Sequence, residues 1–552
     1  MIEIIVNIIA KATGEIEPKI TEPEDSKFGH YSTNLAMIRA GLKETVPQEE
    51  AKQIRESIIQ TAPEGFFEKI EIAGPGFINF FLSQKTISEE IKKIFIKKDK
   101  YGTRATGKGK TIIIDYSAPN IAKPMSVGHL RSTVIGAALI NLLRFQGYKV
   151  VSDNHLGDWG TQFGAIIYAY KHWADNQEFK KDAVGHLVSL YVRFHKEAHE
   201  NEALMDAARA ETAKLQKKDK ENIRLWKLFV KESLKEFNKI YKRLGVDFSV
   251  TLGESFYQPM LLGLVQDALK SRVARKDEGA IKIFFDDEKL PPYVIEKSDG
   301  SHLYTTTDLA TIKYRVNKWN PVKILYVVAN EQALHFAQLF EATRLLGIAP
   351  GVDLQHVKFG MMLGDSGKKF STRKGEFIKL EDLLNKAKAV AADISPSSAE
   401  EVGIGAIKYY DLSHHRLSDI IFDWDAMLNL KGNSAPYIQY SYARLVSVVA
   451  KARGLKPKFK IELLTNKAET RVLESLICFS DTVAYAASQY EPNYLASYLF
   501  RTANALNAFY ETSPIITAEK EIAESRLALA VAGAIVLKNG LSLLGIKLPK
   551  KM

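Results

Sequence analysis

Residues Thr111 to Ser152 read TIIIDYSAPNIAKPMSVGHLRSTVIGAALINLLRFQGYKVVS. Thr111–Asp115 is a short apolar, β-branched run of the buried-strand type, and Gly128–Phe145 carries apolar residues at helical spacing until Gly147 stops it. Lys149–Ser152 repeats the strand pattern. Strand, crossover helix and strand make a βαβ unit, which implies a parallel, doubly wound sheet with ligands bound beyond the carboxyl ends of its strands. Asp115–His129 would line that crevice. There Pro119 and Pro124 keep the chain extended, Gly128 removes a Cβ where a ligand must approach, and His129 falls at the helix N-terminus. Free backbone N–H groups and the helix dipole suit that end to phosphate, and histidine can donate to it without a permanent charge. ATP is the expected ligand.

Outward from this unit the pattern changes on both sides. Toward the N-terminus, Ile2–Ile9 and Leu35–Leu42 have helical apolar spacing, while Ile70–Ile72 and Phe77–Leu82 are strand-like around Gly74-Pro75-Gly76. These make a small α+β module, residues 1–98, followed by a linker at Lys97–Lys110. Toward the C-terminus, Gly164–Tyr257 is long-helical and charged and Gly279–Tyr304 returns to short strands, so an insertion over about residues 165–300 separates two halves of the sheet. Strand Ile324–Val328, helix Gln332–Leu346 and strand Val357–Met361 form the second half, and the α/β domain covers residues 110–378. A helical connector, 379–425, and a helical bundle, 426–552, complete the chain. The predicted fold is multidomain α/β plus all-α, with a Rossmann-like parallel-sheet domain carrying an insertion.

Composition agrees with a modular globular protein. At 552 residues the chain is long for one core, and the 46% hydrophobic and 26% charged fractions are ordinary. Against 65 acidic residues stand 76 Lys and Arg, a net charge of +11 that attracts a polyanion if concentrated on one face. The single cysteine, Cys478, excludes an internal disulfide and a thiolate metal cluster, and suits a reducing cytosol. Met1–Ala10 carries Glu3 and has no basic leader or small-residue cleavage site, which argues against secretion. The longest apolar run, Leu527–Leu537, is well short of the roughly 20 residues that span a bilayer, so no membrane segment is expected. His195 and His199 share a helical face but lack a third ligand, so they read as solvated helix and no metal site is expected.

The string Ser117-Ala118-Pro119-Asn120-Ile121-Ala122-Lys123-Pro124, then Ser126-Val127-Gly128-His129-Leu130-Arg131-Ser132, resembles the first signature of class I aminoacyl-tRNA synthetases, in the form typical of the arginyl branch. Where that signature usually has its first histidine this chain has Ser126, which can hydrogen-bond phosphate but carries no positive charge. The second signature, a mobile lysine-serine loop over the triphosphate, is matched by Lys369-Phe370-Ser371-Thr372-Arg373-Lys374-Gly375. Thr372 stands at its second lysine, and the family pattern implies that Lys123 substitutes. The resemblance therefore implies Lys123, Ser126, Gly128, His129, Lys369, Ser371 and Arg373 as the ATP-handling residues. It further implies that Asp115, Tyr304 and Asp308 contact a substrate guanidinium and that Asn120 and Gln332 hold its α-amino end. Asn154–Gly164, rich in glycine and polar residues, also resembles the arginyl family.

RNA recognition requires aromatic stacking, base-edge hydrogen bonds and cations on phosphates. Gly432–Arg444 puts Tyr437, Tyr440 and Arg444 on one helical face and resembles the family's anticodon-binding domain, to whose pocket the final Met552 also belongs. Phe77 and Asn79 resemble contacts of the family's N-terminal domain with the outer corner of tRNA. The implied function is an arginine–tRNA ligase: L-arginine is activated by ATP, with Mg²⁺ on the phosphates, and transferred to the 3′-terminal ribose of tRNA-Arg. In this family tRNA commonly binds before the amino acid is activated. The implied protein is cytoplasmic and monomeric. Two rivals remain at this level, a non-catalytic tRNA-binding relative, motivated by Ser126, and a class I synthetase for another amino acid.

Overall fold

A computed structural model describes all 552 residues except 16, 24, 287–289, 365–366, 368–377 and 550–551. The N-terminal module packs helices Ile2–Thr13, Leu35–Lys43 and Pro47–Thr61 on an antiparallel sheet with the order Ile20–Thr21, Tyr31–Thr33, Phe77–Leu82, Phe67–Ala73. Phe77–Leu82 lies inside that sheet and buries Ile78, Phe80 and Leu82. Asn79 is buried with them, 3% exposed, and its Oδ1 accepts from Ser32 Oγ at 2.7 Å. The Asn79 acceptor is thus used within the sheet, by the neighbouring strand. Phe77 remains 42% exposed. The expected linker is also packed, since Tyr101 is buried and stacks on Phe479 of the C-terminal bundle, ring centroids 5.8 Å apart.

The central sheet is parallel and five-stranded. Its strands are β1 (Thr111–Asp115), β2 (Lys149–Leu156), β3 (Val250–Gly253), β4 (Lys323–Tyr326) and β5 (Asp353–His356), in the spatial order β5-β4-β1-β2-β3. Helix α1 (Gly128–Phe145) is the crossover between β1 and β2. Helix α2 (Lys220–Leu244) is the last and longest of the helical insertion, α3 (Tyr304–Trp319) precedes β4, and α4 (Ala333–Leu346) joins β4 to β5. The expected α/β class is what the chain adopts, with three local differences. β2 runs on to Leu156 because Asp153 and Asn154, polar but fully buried, continue the ladder. The insertion is not continuous over 165–300: Val250–Gly253 returns to the sheet beside β2, pairing Asp153 with Val250 through Leu156 with Gly253. Four residues including threonine and glycine leave little apolar signal. The last strand is Asp353–His356 instead of Val357–Met361, because an edge strand need not be apolar on both faces. Val357 N–H still donates to Tyr326 at 2.8 Å, and the chain then leaves the sheet.

Beyond residue 377, helices Leu380–Ala391 and Ala399–Leu412 lead to a bundle that includes α5 (Ala435–Lys451), Pro492–Thr512 and Lys520–Leu543. Among the described residues one helix, Lys520–Leu543, is long and apolar enough to cross a membrane, and 67% of its most apolar window is buried inside the protein. One continuous apolar core joins the N-terminal module, one face of the sheet and the bundle.

The helix pair that follows the second signature is packed to backbone contact: a Cβ on Gly403 would lie 2.6 Å from the Ala387 carbonyl oxygen. Gly403→Ala is expected to lower stability by about 1–3 kcal/mol despite the roughly 1 kcal/mol helix-propensity gain of alanine. Gly41→Ala, at an exposed helix position with nothing within 4 Å of the added carbon, should raise it by about 0.5–1 kcal/mol. Thermal unfolding of the two variants should shift in opposite directions.

Candidate active site

The segment between β1 and α1 is not the extended loop that two prolines suggest. Ser117, Ala118 and Ala122 all have positive φ, 72°, 46° and 60°, a conformation that costs a non-glycine residue roughly 1–3 kcal/mol and persists only where the surroundings impose it. They do so from several directions. Ser117 N–H donates to Ser132 Oγ at 2.8 Å, Ala118 N–H to Asn154 Oδ1 at 3.2 Å and Ala122 N–H to Ser233 Oγ at 2.9 Å. Ser117 Oγ meets Tyr241 OH at 2.9 Å. Ile121 N–H donates to the Gly157 carbonyl at 3.0 Å, and any Cβ on Gly157 would sit 2.0 Å from Asn120 Oδ1. Thus the glycine of the Asn154–Gly164 string makes room for the signature loop.

The same geometry sorts the motif. Arg131 is buried, with Nε on Asp411 at 3.1 Å and Nη1 on the carbonyls of Gly360 and Ser418, and Ser132 Oγ donates to Val327 O at 2.7 Å. These two are scaffold. Asn120, Lys123 and Gly128 are exposed toward solvent, and Lys123 Nζ lies over the Tyr191 ring at 5.5 Å. His129 sits in the first turn of α1, where its Nδ1 accepts the Ser126 N–H at 3.1 Å, with Ser126 Oγ at the same distance. Burial lowers the His129 pKa below that of free histidine, so the ring is neutral near pH 7. With Nδ1 used as acceptor, the proton belongs on Nε2, which leaves one donor for a ligand oxygen.

Lys369, Ser371 and Arg373 lie outside the described residues. From Ile378 onward the chain is described: Val127 N–H donates to Ile378 O at 3.2 Å and Leu380 N–H to Met125 O at 2.8 Å. The chain that resumes at Ile378 is therefore bonded to the first motif.

Helix α3 carries the other group. Thr305 and Thr306 donate their hydroxyls to the carbonyls of Val294 and Ile295, which fixes the start of the helix and turns Tyr304, 59% exposed, and Asp308 toward its open face. Asp308 Oδ2 is 2.8 Å from His335 Nε2, and the His335 ring stands 5.1 Å from that of Tyr304. Gln332, exposed, closes the short turn before α4, three residues ahead of His335. Asp115 is placed differently from Asp308: it is buried, and its Oδ2 accepts from Arg315 Nη2 at 2.5 Å. Arg315, also on α3, reaches Asp153 Oδ2 from Nε at 3.0 Å as well. Asp115 is thus matched to an internal guanidinium, which departs from a carboxylate held free for a substrate.

Two groups at this mouth escaped the reading of motifs. His335 is one. Glu254, at the carboxyl end of β3, is the other: burial first, then the negative charges of Asp308 and Asp158, push its pKa up to about 7. Its signal was slight, a glutamate directly after a strand whose four residues do not read as one. Asp158 itself is bound to Ser255 N at 2.8 Å and Ser255 Oγ at 2.6 Å and closes the loop after β2. Among the described residues no three His, Cys, Asp or Glu side chains are grouped to hold a metal ion.

In the bundle, Tyr440, Arg444 and Met552 line one cavity of about 300 Å³ with Tyr510. The Arg444 guanidinium lies 4.1 Å from the Tyr510 ring centroid and 5.4 Å from that of Tyr440. Tyr437 faces elsewhere, its OH on Asn504 Oδ1 at 2.6 Å and its ring against Phe500.

Three family models match the chain: the arginyl tRNA synthetase N terminal domain over residues 1–82, the catalytic domain of class I (R) tRNA synthetases over 90–424, and the DALR anticodon binding domain over 438–552. An arginine–tRNA ligase of Fusobacterium nucleatum is 42% identical over 556 residues, spanning 98% of this chain and 96% of the relative. The arginyl-tRNA synthetase structure from Plasmodium falciparum superposes with a TM-score of 0.82 at 30% identity, covering 100% of this chain and 98% of that one. The structure from Thermus thermophilus gives the same TM-score at 22% identity, covering 100% and 99%, and speaks to the fold alone.

Removing the buried guanidinium should be severe. Arg315→Met leaves Asp115 and Asp153 without their cation and is expected to cost about 3–5 kcal/mol. Converting both aspartates to asparagine in the same chain should restore part of that loss in thermal unfolding.

Proposed function

The chain belongs to the arginyl-tRNA synthetase family of class I, and on that premise we propose how its residues divide the work of an arginine–tRNA ligase. In the first step an arginine carboxylate oxygen attacks the α-phosphorus of ATP, and pyrophosphate leaves as arginyl-adenylate forms. A terminal ribose hydroxyl of tRNA-Arg then attacks the adenylate's carbonyl carbon, giving arginyl-tRNA and AMP. Neither step needs a protein nucleophile, so the protein contributes position and charge stabilisation.

His129 Nε2–H and the free N–H groups of the first turn of α1 bind phosphate oxygens, with Gly128 giving them access. Ser126 takes the place of the usual first histidine by holding His129 through Nδ1, which keeps its donor directed outward. Lys123, Lys369, Ser371 and Arg373 supply charge and hydrogen bonds to the triphosphate. Mg²⁺ enters with ATP on phosphate oxygens and water, without a dedicated protein cage.

Asp308 and Tyr304 hold the arginine guanidinium and Glu254 adds a second carboxylate. Asn120 and Gln332 take the α-amino end. Asp115 acts through Arg315 as a positioning residue. The observation that carries the amino-acid assignment is the pair Asp308 and Glu254, two neighbouring carboxylates at one mouth with no Lys or Arg in ion-pair range among the described residues. A guanidinium relieves their repulsion. Tyr440, Arg444 and Met552 form the anticodon pocket, and Phe77 stacks on the outer corner of the tRNA. Residues 1–98, 110–378, 379–425 and 426–552 serve as tRNA-corner, catalytic, connecting and anticodon-binding units of a cytoplasmic monomer. Neither rival gains an observation.

Purified protein given ATP, Mg²⁺, total tRNA and each amino acid in turn should charge arginine selectively; charging of another amino acid would overturn the pocket, and tRNA binding without charging would favour the non-catalytic rival. Asp308→Asn should cost about 2–5 kcal/mol in kcat/KM for arginine, the range for removing one member of a buried charge pair. Because Glu254 titrates near pH 7 in the free protein, it is protonated below that pH and cannot pair with the guanidinium. The KM for arginine should therefore fall as pH rises through 7, and Glu254→Gln should flatten that dependence while raising KM at pH 8.

A further inference from the structure

Asp115 and Asp308 are both carboxylates near the strand ends, and the protein partners them differently. Asp115 meets a permanent cation, Arg315, which cancels its charge within the interior. Asp308 meets an imidazole: its Oδ2 lies 2.8 Å from His335 Nε2, with both side chains partly buried. A carboxylate only accepts, so the shared proton belongs to Nε2. Among the described residues no other side chain hydrogen-bonds or ion-pairs with Asp308, which leaves the acceptor capacity of Oδ1 unspent.

The donor itself is held in place. His335 stands in the first turn of α4, and its ring packs among those of Tyr304, Phe336 and Tyr293, with centroids 5.1, 5.3 and 6.0 Å away. Phe336 and Tyr293 are buried, so this aromatic wall fixes the plane of the imidazole and hence the direction of its Nε2–H bond. Gln332 stands three residues earlier, a spacing that puts both side chains on one side of the turn into α4. A lysine or arginine at position 335 would cancel Asp308 and compete with a cationic substrate. Histidine instead gives a directed donor without a permanent charge, so Asp308 and Glu254 keep the mouth acidic.

We propose that His335 is a positioning residue that sets the plane of the Asp308 carboxylate, and through it the preference for a planar guanidinium over a primary ammonium. The inference rests on the ligase reading, in which Asp308 and Tyr304 hold the guanidinium, and adds the group that aims them. A guanidinium donates through a rigid, planar fork, so it gains most from acceptor oxygens already fixed in that plane. An ammonium is a point charge with rotatable donors, and a carboxylate free to turn holds it nearly as well.

The test compares His335→Leu, which keeps apolar packing and removes the donor, with His335→Gln, which keeps a donor at the reach of Nε2. In charging of tRNA-Arg at saturating ATP and tRNA, the Leu variant should raise the KM for arginine about ten- to a hundredfold, the range for one hydrogen bond to a charged group. Its kcat and its KM for ATP should change little, and the Gln variant should recover most of the loss. Lysine, measured as a competitive inhibitor, should weaken less than arginine does, so that selectivity narrows. In an Asp308→Asn background His335→Leu should add nothing to the KM for arginine, because the pair acts as one unit. An unchanged KM for arginine, a Gln variant as weak as the Leu variant, equal weakening of arginine and lysine, or losses that add in the double variant would each overturn the proposal. A fall in kcat and a rise in both KM values, together with a lowered unfolding temperature, would assign His335 to the fold alone and overturn it as well. Failure of the wild-type protein to charge arginine would instead overturn the ligase reading.

Discussion

The Arg315 guanidinium, fully buried, is shared by Asp115 at the end of β1 and Asp153 in β2 while its own backbone belongs to α3. It fixes where the start of α3, with Tyr304 and Asp308, stands relative to the strand ends from which the signature loop departs. Two carboxylates and one cation in the interior make a poor stability device, because desolvation offsets most of the attraction. Burial raises the Asp153 pKa, and Arg315 pulls it back. What such a cluster supplies is geometry, since any shift of α3 against the sheet would leave a buried charge unpaired.

A second constraint is built on the first. The signature loop holds three non-glycine residues in left-handed backbone, and its clamps come from β2, from Gly157 and from α2, elements far apart in sequence. The loop's shape is therefore a property of the assembled catalytic unit. α2 is central to this, since its Ser233 and Tyr241 hold the loop. Lys408 ties its end into the rest of the protein, donating to the carbonyls of Leu244 and Gly545 from a site so buried that its pKa falls to about 8.

The sequence was readable where one segment carries its own pattern. The βαβ unit, the N-terminal strand Phe77–Leu82 and the helical bundle follow from apolar periodicity over ten to twenty residues, in rough accord with the spacing of real strands and helices. It was unreadable where a short or edge strand takes its place from pairing alone, as at Val250–Gly253 and Asp353–His356, and where a polar residue is buried because another element satisfies it, as with Asn79 on Ser32 and Asp153 on Arg315.

By itself, then, the amino-acid sequence determined the α/β-plus-helical architecture, the family, and a helix N-terminus of the kind that suits phosphate, because these depend on local order along the chain. Only the tertiary structure decided which members of the motifs are scaffold and which are open to a ligand: Arg131 and Ser132 turn inward, Asp115 meets Arg315, and Glu254, just after β3, and His335 of α4 join Asp308. The reason is physical. A side chain's charge state and free hydrogen-bonding capacity are set by neighbours brought together across hundreds of residues, and no local pattern encodes them.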